Sequence, residues 1–237
     1  MIEIINYLSG KKIIIVCGHY GAGKTNIAVN LAVKLKERTG FACTLADMDI
    51  VNPYFRSADN IKELQEHGVD FIIPQFANTN VDLPAIPAEI YSVFADNKNA
   101  EKLAVIDVGG DGNGAVVLGM FEEHIKRETP GTVEMIYVVN KYRPLTGEVE
   151  SAVNLAKTIE NKSKLKITSL INNSNIGNMT TGKNILDSIE YAQKISDLLN
   201  VTFIGTSYLD DINIDVDFLE KEEYNIFNIK NHTKNLF

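Results

Sequence analysis

Residues Gly18-His19-Tyr20-Gly21-Ala22-Gly23-Lys24-Thr25 have the spacing G-x-x-x-x-G-K-[ST], and their types suit one chemical task. Glycines let a backbone curl until successive N–H groups point at a single anion. A helix that starts at such a curl adds its N-terminal partial positive charge. In this Walker A pattern Lys24 reaches the β- and γ-phosphates of a nucleotide, and the Thr25 hydroxyl binds Mg²⁺. The sequence therefore predicts that Gly18, His19, Tyr20, Gly21, Ala22, Gly23, Lys24 and Thr25, with Asn26 behind them, line a nucleotide site in which Lys24 also serves catalysis.

Two apolar runs end in acids that can face this loop. One reads Leu45-Ala46-Asp47-Met48-Asp49, the other Val105-Ile106-Asp107-Val108-Gly109-Gly110. An Asp at the tip of an apolar strand holds Mg²⁺ through its water shell. Asp107 fits that role, and Gly110 completes D-x-x-G, with a backbone N–H available to the γ-phosphate. Asp47 and Asp49 divide two further tasks between them. The favoured assignment gives Asp47 to the magnesium shell and Asp49 to the attacking water, which needs a base within one hydrogen bond. The alternative is that one of them caps the adjoining turn.

A third run, Glu134–Val139, leads into Asn140-Lys141-Tyr142-Arg143. This begins like N-K-x-D, the guanine motif, but has arginine where the aspartate belongs. Guanine presents donors at that edge and needs a carboxylate to accept them, whereas arginine has only donors. The base expected is not guanine. The next run ends in Ile171-Asn172-Asn173-Ser174, where an asparagine that both donates and accepts suits the adenine edge. Two turn asparagines are the competing reading.

The elements that must position these residues can be read from the pattern of apolar residues. Short β-branched runs alternate with longer amphipathic stretches, which is the signature of βαβ units and a parallel sheet covered on both faces. Strands are expected at Lys12–Cys17, Ala42–Ala46, Leu103–Asp107, Glu134–Val139, Lys166–Ile171 and Thr202–Gly205. Helices are expected at Thr25–Arg38, Pro87–Phe94, Gly114–Ile125, Gly147–Ile159 and Gly182–Leu199. The fold class expected is α/β, a three-layer P-loop NTPase fold with a mostly parallel central sheet and helices on both faces. In open sheets of this kind ligands bind beyond the carboxyl ends of the strands, where the loops Asp47–Arg56, Asn78–Pro87 and Val108–Gly114 lie. One domain is expected over 1–237, with 210–237 a peripheral C-terminal extension.

Composition bounds the function classes. The chain has 237 residues, 45% hydrophobic and 23% charged, with a formal net charge of −8. That balance argues against nucleic acid, whose backbone is bound by clustered Lys and Arg. The two cysteines, Cys17 and Cys43, lie in apolar runs and read as core residues. There is no C-x-x-C to suggest zinc. No apolar run has the length of a signal core or membrane span, and residues 225–237 have no sustained apolar helical face. A cytoplasmic location and no membrane partner are expected.

Together Gly18–Thr25, Asp47-Met48-Asp49 and Asp107-Val108-Gly109-Gly110 resemble, in order and spacing, the MinD/ParA-like P-loop ATPases, also called the CobQ/CobB/MinD/ParA nucleotide-binding domain. The resemblance covers roughly Lys12 to Gly205. It implies a parallel sheet, a site for ATP with Mg²⁺, and often a nucleotide-dependent homodimer. In that group an asparagine at the end of the strand before residue 174 commonly contacts adenine, so Asn173 is the first choice and Asn172 the second. Members position cell-division or DNA-partition machinery, insert metals, or regulate other enzymes, which implies a client protein. One departure matters. The group carries a signature lysine just after the first glycine, and here that position is His19, so a lysine acting across a dimer has no support. Histidine as a residue type supplies less charge at neutral pH than lysine. Slow hydrolysis is therefore expected, with Arg56 a candidate cation supplied on docking. The stretch Asp49–Arg56 resembles a bacterial subset of the group. The leading expectation is a regulatory or assembly ATPase. The alternative is an ATP-dependent small-molecule kinase or ligase of the dethiobiotin-synthetase-like type, and a third reading is an ATP-binding interaction module that scarcely turns over.

Overall fold

A computed structural model of the chain describes residues 2–49, 64–73, 88–94, 101–110, 112–212 and 225–232. Arg56 and the loop 78–87 lie outside them, as do most of the loop 47–56 and residue 111 of the loop 108–114. The described residues form α1 (Ile2–Leu8), β1 (Ile13–Gly18), α2 (Lys24–Thr39), β2 (Ala42–Asp47), β3 (Val69–Ile72), a 3₁₀ helix (Ala88–Phe94), β4 (Lys102–Asp107), α3 (Gly112–Gly119), α4 (Glu122–Lys126), β5 (Val133–Val139), α5 (Val149–Ser163), β6 (Ser169–Asn172), α6 (Gly182–Leu199), β7 (Thr202–Leu209) and β8 (Ile226–Ile229).

The eight strands form one sheet in the order β3-β2-β4-β1-β5-β6-β7-β8. Every neighbouring pair is parallel. This is the three-layer α/β fold that the alternation of runs predicts, with the Gly18–Thr25 motif marking it as a P-loop NTPase fold. All six residues of β1 are buried, as a central strand covered on both faces requires. One face packs α1 and α2 through Ile4, Leu8, Ile27, Leu31 and Leu35. The other packs the 3₁₀ helix, α3, α4, α5 and α6 through residues such as Phe121, Ala156 and Ile195. Cys17 and Cys43 lie in these cores without a disulfide, and burial pushes each thiol up to about 12, which leaves them unreactive.

Besides β3, a strand that none of the expected runs covers, three features depart from the sequence expectation. The helix predicted over Gly114–Ile125 is two helices. At Gly119 a Cβ would stand 2.8 Å from the Lys162 carbonyl oxygen, so α3 ends pressed against α5. The chain then turns so that Phe121 stacks on Phe94. The apolar run is continuous across this turn, and nothing in it marks the break. The second departure is β8. Residues 226–229 extend the sheet beside β7, and Phe227 is fully buried in the core. The segment just after β8 is fastened to α2. Asn30 exchanges two hydrogen bonds with the Lys230 backbone, both 2.9 Å, and the His232 N–H donates to Asn26 Oδ1 at 2.9 Å. This part of the expected peripheral extension completes the sheet edge. The third is α1, too short to show a helical period in sequence. It packs so close to β7 that a Cβ at Gly205 would fall 2.5 Å from Ile4 Cδ1.

At the amino end of β5, Glu134 is buried and ion-paired to Lys11 at 2.8 Å. Its other oxygen accepts from Thr168 at 2.6 Å and from Tyr7 at 3.2 Å. Burial pushes this carboxyl up, but the bonds from Lys11 and Thr168 and the Lys11 charge outweigh it, and the net direction is down. A depressed carboxyl contributes stability at neutral pH that is lost as the group is protonated. Removing one partner of a buried pair costs about 3–5 kcal/mol. Glu134→Ala is expected near the low end, because Lys11 can turn to solvent. Urea denaturation at neutral pH should show this loss. The gap between variant and wild type should then shrink as the pH falls below 4.5, the ordinary glutamate value.

Candidate functional site

The carboxyl ends of β1, β2 and β4 meet at one place, and the register explains why. Val16 lies opposite Asp107 across β1 and β4, and Asp47 lies opposite Asp107 across β2 and β4. The loop leaving β1 at Gly18 therefore faces both acids. The loop closes through the Ala22 N–H, which donates to the His19 carbonyl at 3.1 Å, and α2 begins with the Ile27 N–H on the Gly23 carbonyl. Lys24 is buried, and its ammonium donates back to the His19 carbonyl at 3.1 Å. His19 Nδ1 lies 2.7 Å from the Tyr20 carbonyl, and the Tyr20 ring is exposed.

Asp107 is 1% exposed. Its Oδ2 accepts the Thr25 hydroxyl at 2.6 Å, while its Oδ1 is buried with no hydrogen-bond partner among the described residues. Burial pushes its carboxyl up to about 6. The Lys24 charge and the Thr25 bond pull the other way, and Asp49 adds to the rise. Asp47 is also buried, with Oδ1 accepting the Asp49 N–H at 2.8 Å. Asp49 is the more accessible of the two, and its carboxyl lies 3.4 Å from where a Gly109 Cβ would stand. Gly110 touches the loop directly. A Cβ there would be 2.6 Å from Lys24 Nζ and from Tyr20 N, so only glycine allows β4 and the loop to approach this closely.

These donors fit a magnesium ion. Thr25 gives its proton to Asp107 and keeps its lone pairs. An orphaned buried carboxylate oxygen is costly to leave unpaired. Among the described residues no three His, Cys, Asp or Glu side chains cluster as a metal cage. Mg²⁺ needs none, since it keeps several waters and binds through one or two carboxylates and substrate phosphates.

The two asparagines at the end of β6 occupy structural positions. Asn173 donates to the Ala22 carbonyl at 2.8 Å and accepts from Ser207 at 2.7 Å. It lies so close to Gly23, which has φ 86°, that no side chain fits there. Asn173 thus buttresses the phosphate loop from behind. Asn172 is buried, donating to Ser188 at 2.8 Å and accepting from Ser174 at 2.6 Å, which spends its amide on packing between β6 and α6. Asn26 is likewise engaged with His232. Sequence reasoning missed Ser207, because the strand was expected to end at Gly205. It also saw Arg143 only as a missing aspartate, whereas its side chain lies against Gly21. A cavity of about 310 Å³ opens beyond β6 and β7, between residues 177–182 and 209–212.

No family model matches the sequence, and no curated protein matches it. Solved structures do. Chloroplast FtsY from Physcomitrella patens is 15% identical with a TM-score of 0.54, over 86% of this chain and 64% of that one. The signal recognition particle 54 kDa protein from Aeropyrum pernix, in complex with GDP, is 16% identical with a TM-score of 0.51, over 86% and 45%. A nucleotide-binding protein from Archaeoglobus fulgidus, in complex with ADP, is 17% identical with a TM-score of 0.52, over 92% and 88%. The chain spans less than two thirds of the FtsY and signal recognition particle proteins it matches. At these identities the likeness establishes the fold. No helix among the described residues is long and apolar enough to cross a membrane.

The raised Asp107 carboxyl gives a signed pH prediction. Its folded value lies above its ordinary one, so ionising it in place costs stability at high pH and nothing below the ordinary value. In metal-free buffer Asp107→Asn is expected to melt a few degrees above wild type at about pH 8, with the advantage gone by about pH 4. Saturating Mg²⁺ with nucleotide should reverse the order at the higher pH, because wild type gains more of the ligand's stabilisation than the variant. Thermal melts under the four conditions decide this.

Proposed function

We propose that the chain is a Mg-ATP-binding, slowly hydrolysing regulatory or assembly ATPase of the MinD/ParA-like group, whose nucleotide state controls a client protein. The observation that carries it is the Thr25–Asp107 pair, with an orphaned carboxylate oxygen in contact range of a Walker A loop. The loop N–H groups and Lys24 hold the phosphates. Thr25 would hold a bound Mg²⁺, with Asp107 and Asp47 supporting its water shell. When bound, the ion neutralises charge on the β- and γ-phosphates. Asp49, the more accessible acid, orients the attacking water, and the Gly110 N–H meets the γ-phosphate. His19 in place of a signature lysine supports slow basal turnover, since catalysis of phosphoryl transfer is chiefly positioning and positive charge.

Adenine is the base expected on the strength of Arg143 at the position where guanine needs a carboxylate. The ADP and GDP complexes of the structural neighbours support a nucleotide and leave the base to this residue. An adenine contact by Asn173 requires its amide to be shared with Ala22, so its support of the loop is the larger part of its role. The second reading, a small-molecule kinase or ligase, is favoured by the cavity beyond β6 and β7, which offers room for another substrate.

Two measurements test the proposal. Competition against a fluorescent nucleotide should show ATP preferred over GTP, and Lys24→Ala should weaken ATP by at least about a hundredfold, the scale of a lost charge-assisted contact. Equal affinity for the two nucleotides removes the adenine assignment. Turnover should be slow and should rise with protein concentration if two copies meet over the nucleotide. Fast turnover of the dilute wild type that is independent of concentration favours the small-molecule enzyme.

A further inference from the structure

Arg143 stands where the turn after β5 passes the phosphate loop, and its placement is determined in detail. Asn140, fully buried, accepts the Tyr142 N–H at 2.9 Å and donates to the Asn175 carbonyl at 3.2 Å. The Arg143 N–H returns to the Asn140 carbonyl at 3.2 Å, and the Thr146 N–H to the Arg143 carbonyl at 3.0 Å. The two preceding side chains point at α6. Lys141 donates to the Asp187 carbonyl and Tyr142 to the Asn184 carbonyl, each at 2.7 Å. Arg143 goes to the loop instead. Its Nε, Cζ and Cδ lie 3.5, 3.6 and 3.8 Å from where a Gly21 Cβ would stand, so its guanidinium rests on the bare backbone of the loop.

Among the described residues no hydrogen bond or ion pair holds that guanidinium. Its Nε is buried without a hydrogen bond, and among the described residues the side chain has no ion pair. This occurs in a chain with 31 acidic residues against 23 Lys and Arg, where a carboxylate partner would be easy to supply. Native structures seldom leave a buried donor unmatched without a ligand to match it. An anion at the loop would match the charge of this donor, and a phosphate is such an anion. Arginine's planar fork binds phosphate with two parallel hydrogen bonds. Within Gly18–Thr25 the only lysine or arginine is Lys24.

We infer that Arg143 is a cation supplied by this chain itself to the phosphate chain of the bound nucleotide. The inference rests on the nucleotide-binding reading above and names a contact that reading does not contain. It gives the arginine a positive role beside its exclusion of guanine.

The test measures binding of Mg-ATP and of magnesium tripolyphosphate, which has no base or ribose, by calorimetry on wild type, Arg143→Ala, Arg143→Gln and Arg143→Lys. Thermal melts identify any variant that fails to fold, and Arg143→Gln, which keeps much of the stem, serves if alanine does. Loss of a charged hydrogen bond predicts a drop of about tenfold to a hundredfold for both ligands in the alanine and glutamine variants. Lysine should recover part of it. Affinities equal to wild type overturn the inference. So does a loss for ATP that tripolyphosphate does not share, because that marks a contact with the base or ribose. If wild type binds tripolyphosphate but not ATP, the nucleotide reading falls, while a drop for tripolyphosphate in the variants still supports Arg143. If wild type binds neither ligand, both fall.

Discussion

The site is organised around the cost of one buried charge. Asp107 sits almost out of water at the end of a central strand, and a single threonine hydroxyl occupies one of its oxygens. The low-dielectric surroundings favour its neutral form, and the pull of Lys24 does not cancel that. A carboxylate held this way is poised for a cation, because binding one removes the penalty that the fold otherwise carries. Gly110, Asp47 and the loop are all positioned by the same strand register that brings Asp107 to the loop.

The opposite end of the sheet shows what a carboxylate looks like when the fold satisfies it. Glu134 is also shielded from water but less deeply enclosed, and Lys11, Thr168 and Tyr7 surround it, so its net shift is downward. Two buried acids at opposite ends of one sheet thus have opposite electrostatic characters. The difference is in the number of donors delivered to each. The satisfied acid lies at the amino ends of the strands and the unsatisfied one at the carboxyl ends, where open α/β sheets bind ligands.

Asparagines do most of the work of holding the loops in place. Asn173 supports the phosphate loop, Asn140 shapes the turn that presents Arg143, Asn172 joins β6 to α6, and Asn26 and Asn30 fasten the segment after β8 to the phosphate-loop helix. Each uses a side-chain amide to satisfy polar groups at a chain reversal or between elements, where no ladder or helix can do so. The C-terminal segment is therefore coupled to α2 at the residue next to Thr25.

By itself the sequence determined the glycine loop after β1, the acids at the strand ends, six of the eight strands and the parallel α/β class. These are local properties: a glycine spacing, an acid at the tip of an apolar run, a β-branched stretch bounded by polar residues. Tertiary structure decided the rest. Residues 226–229 carry too weak a pattern to announce a strand, and become one because β7 offers an unpaired edge and the core a place for Phe227. The break at Gly119 is set by how near α5 passes. Asn172 and Asn173 look alike in sequence, yet one faces α6 and the other the phosphate loop, because consecutive residues at a strand end point to opposite sides. Whether Arg143 is a surface cation or one laid on the loop depends on where Lys141 and Tyr142 are drawn, and that is a matter of α6 packing 46 and 42 residues further along the chain. Spacing along the chain can specify which groups a site contains. Which of them keep a hydrogen-bonding partner is settled by distances that only the packed fold sets.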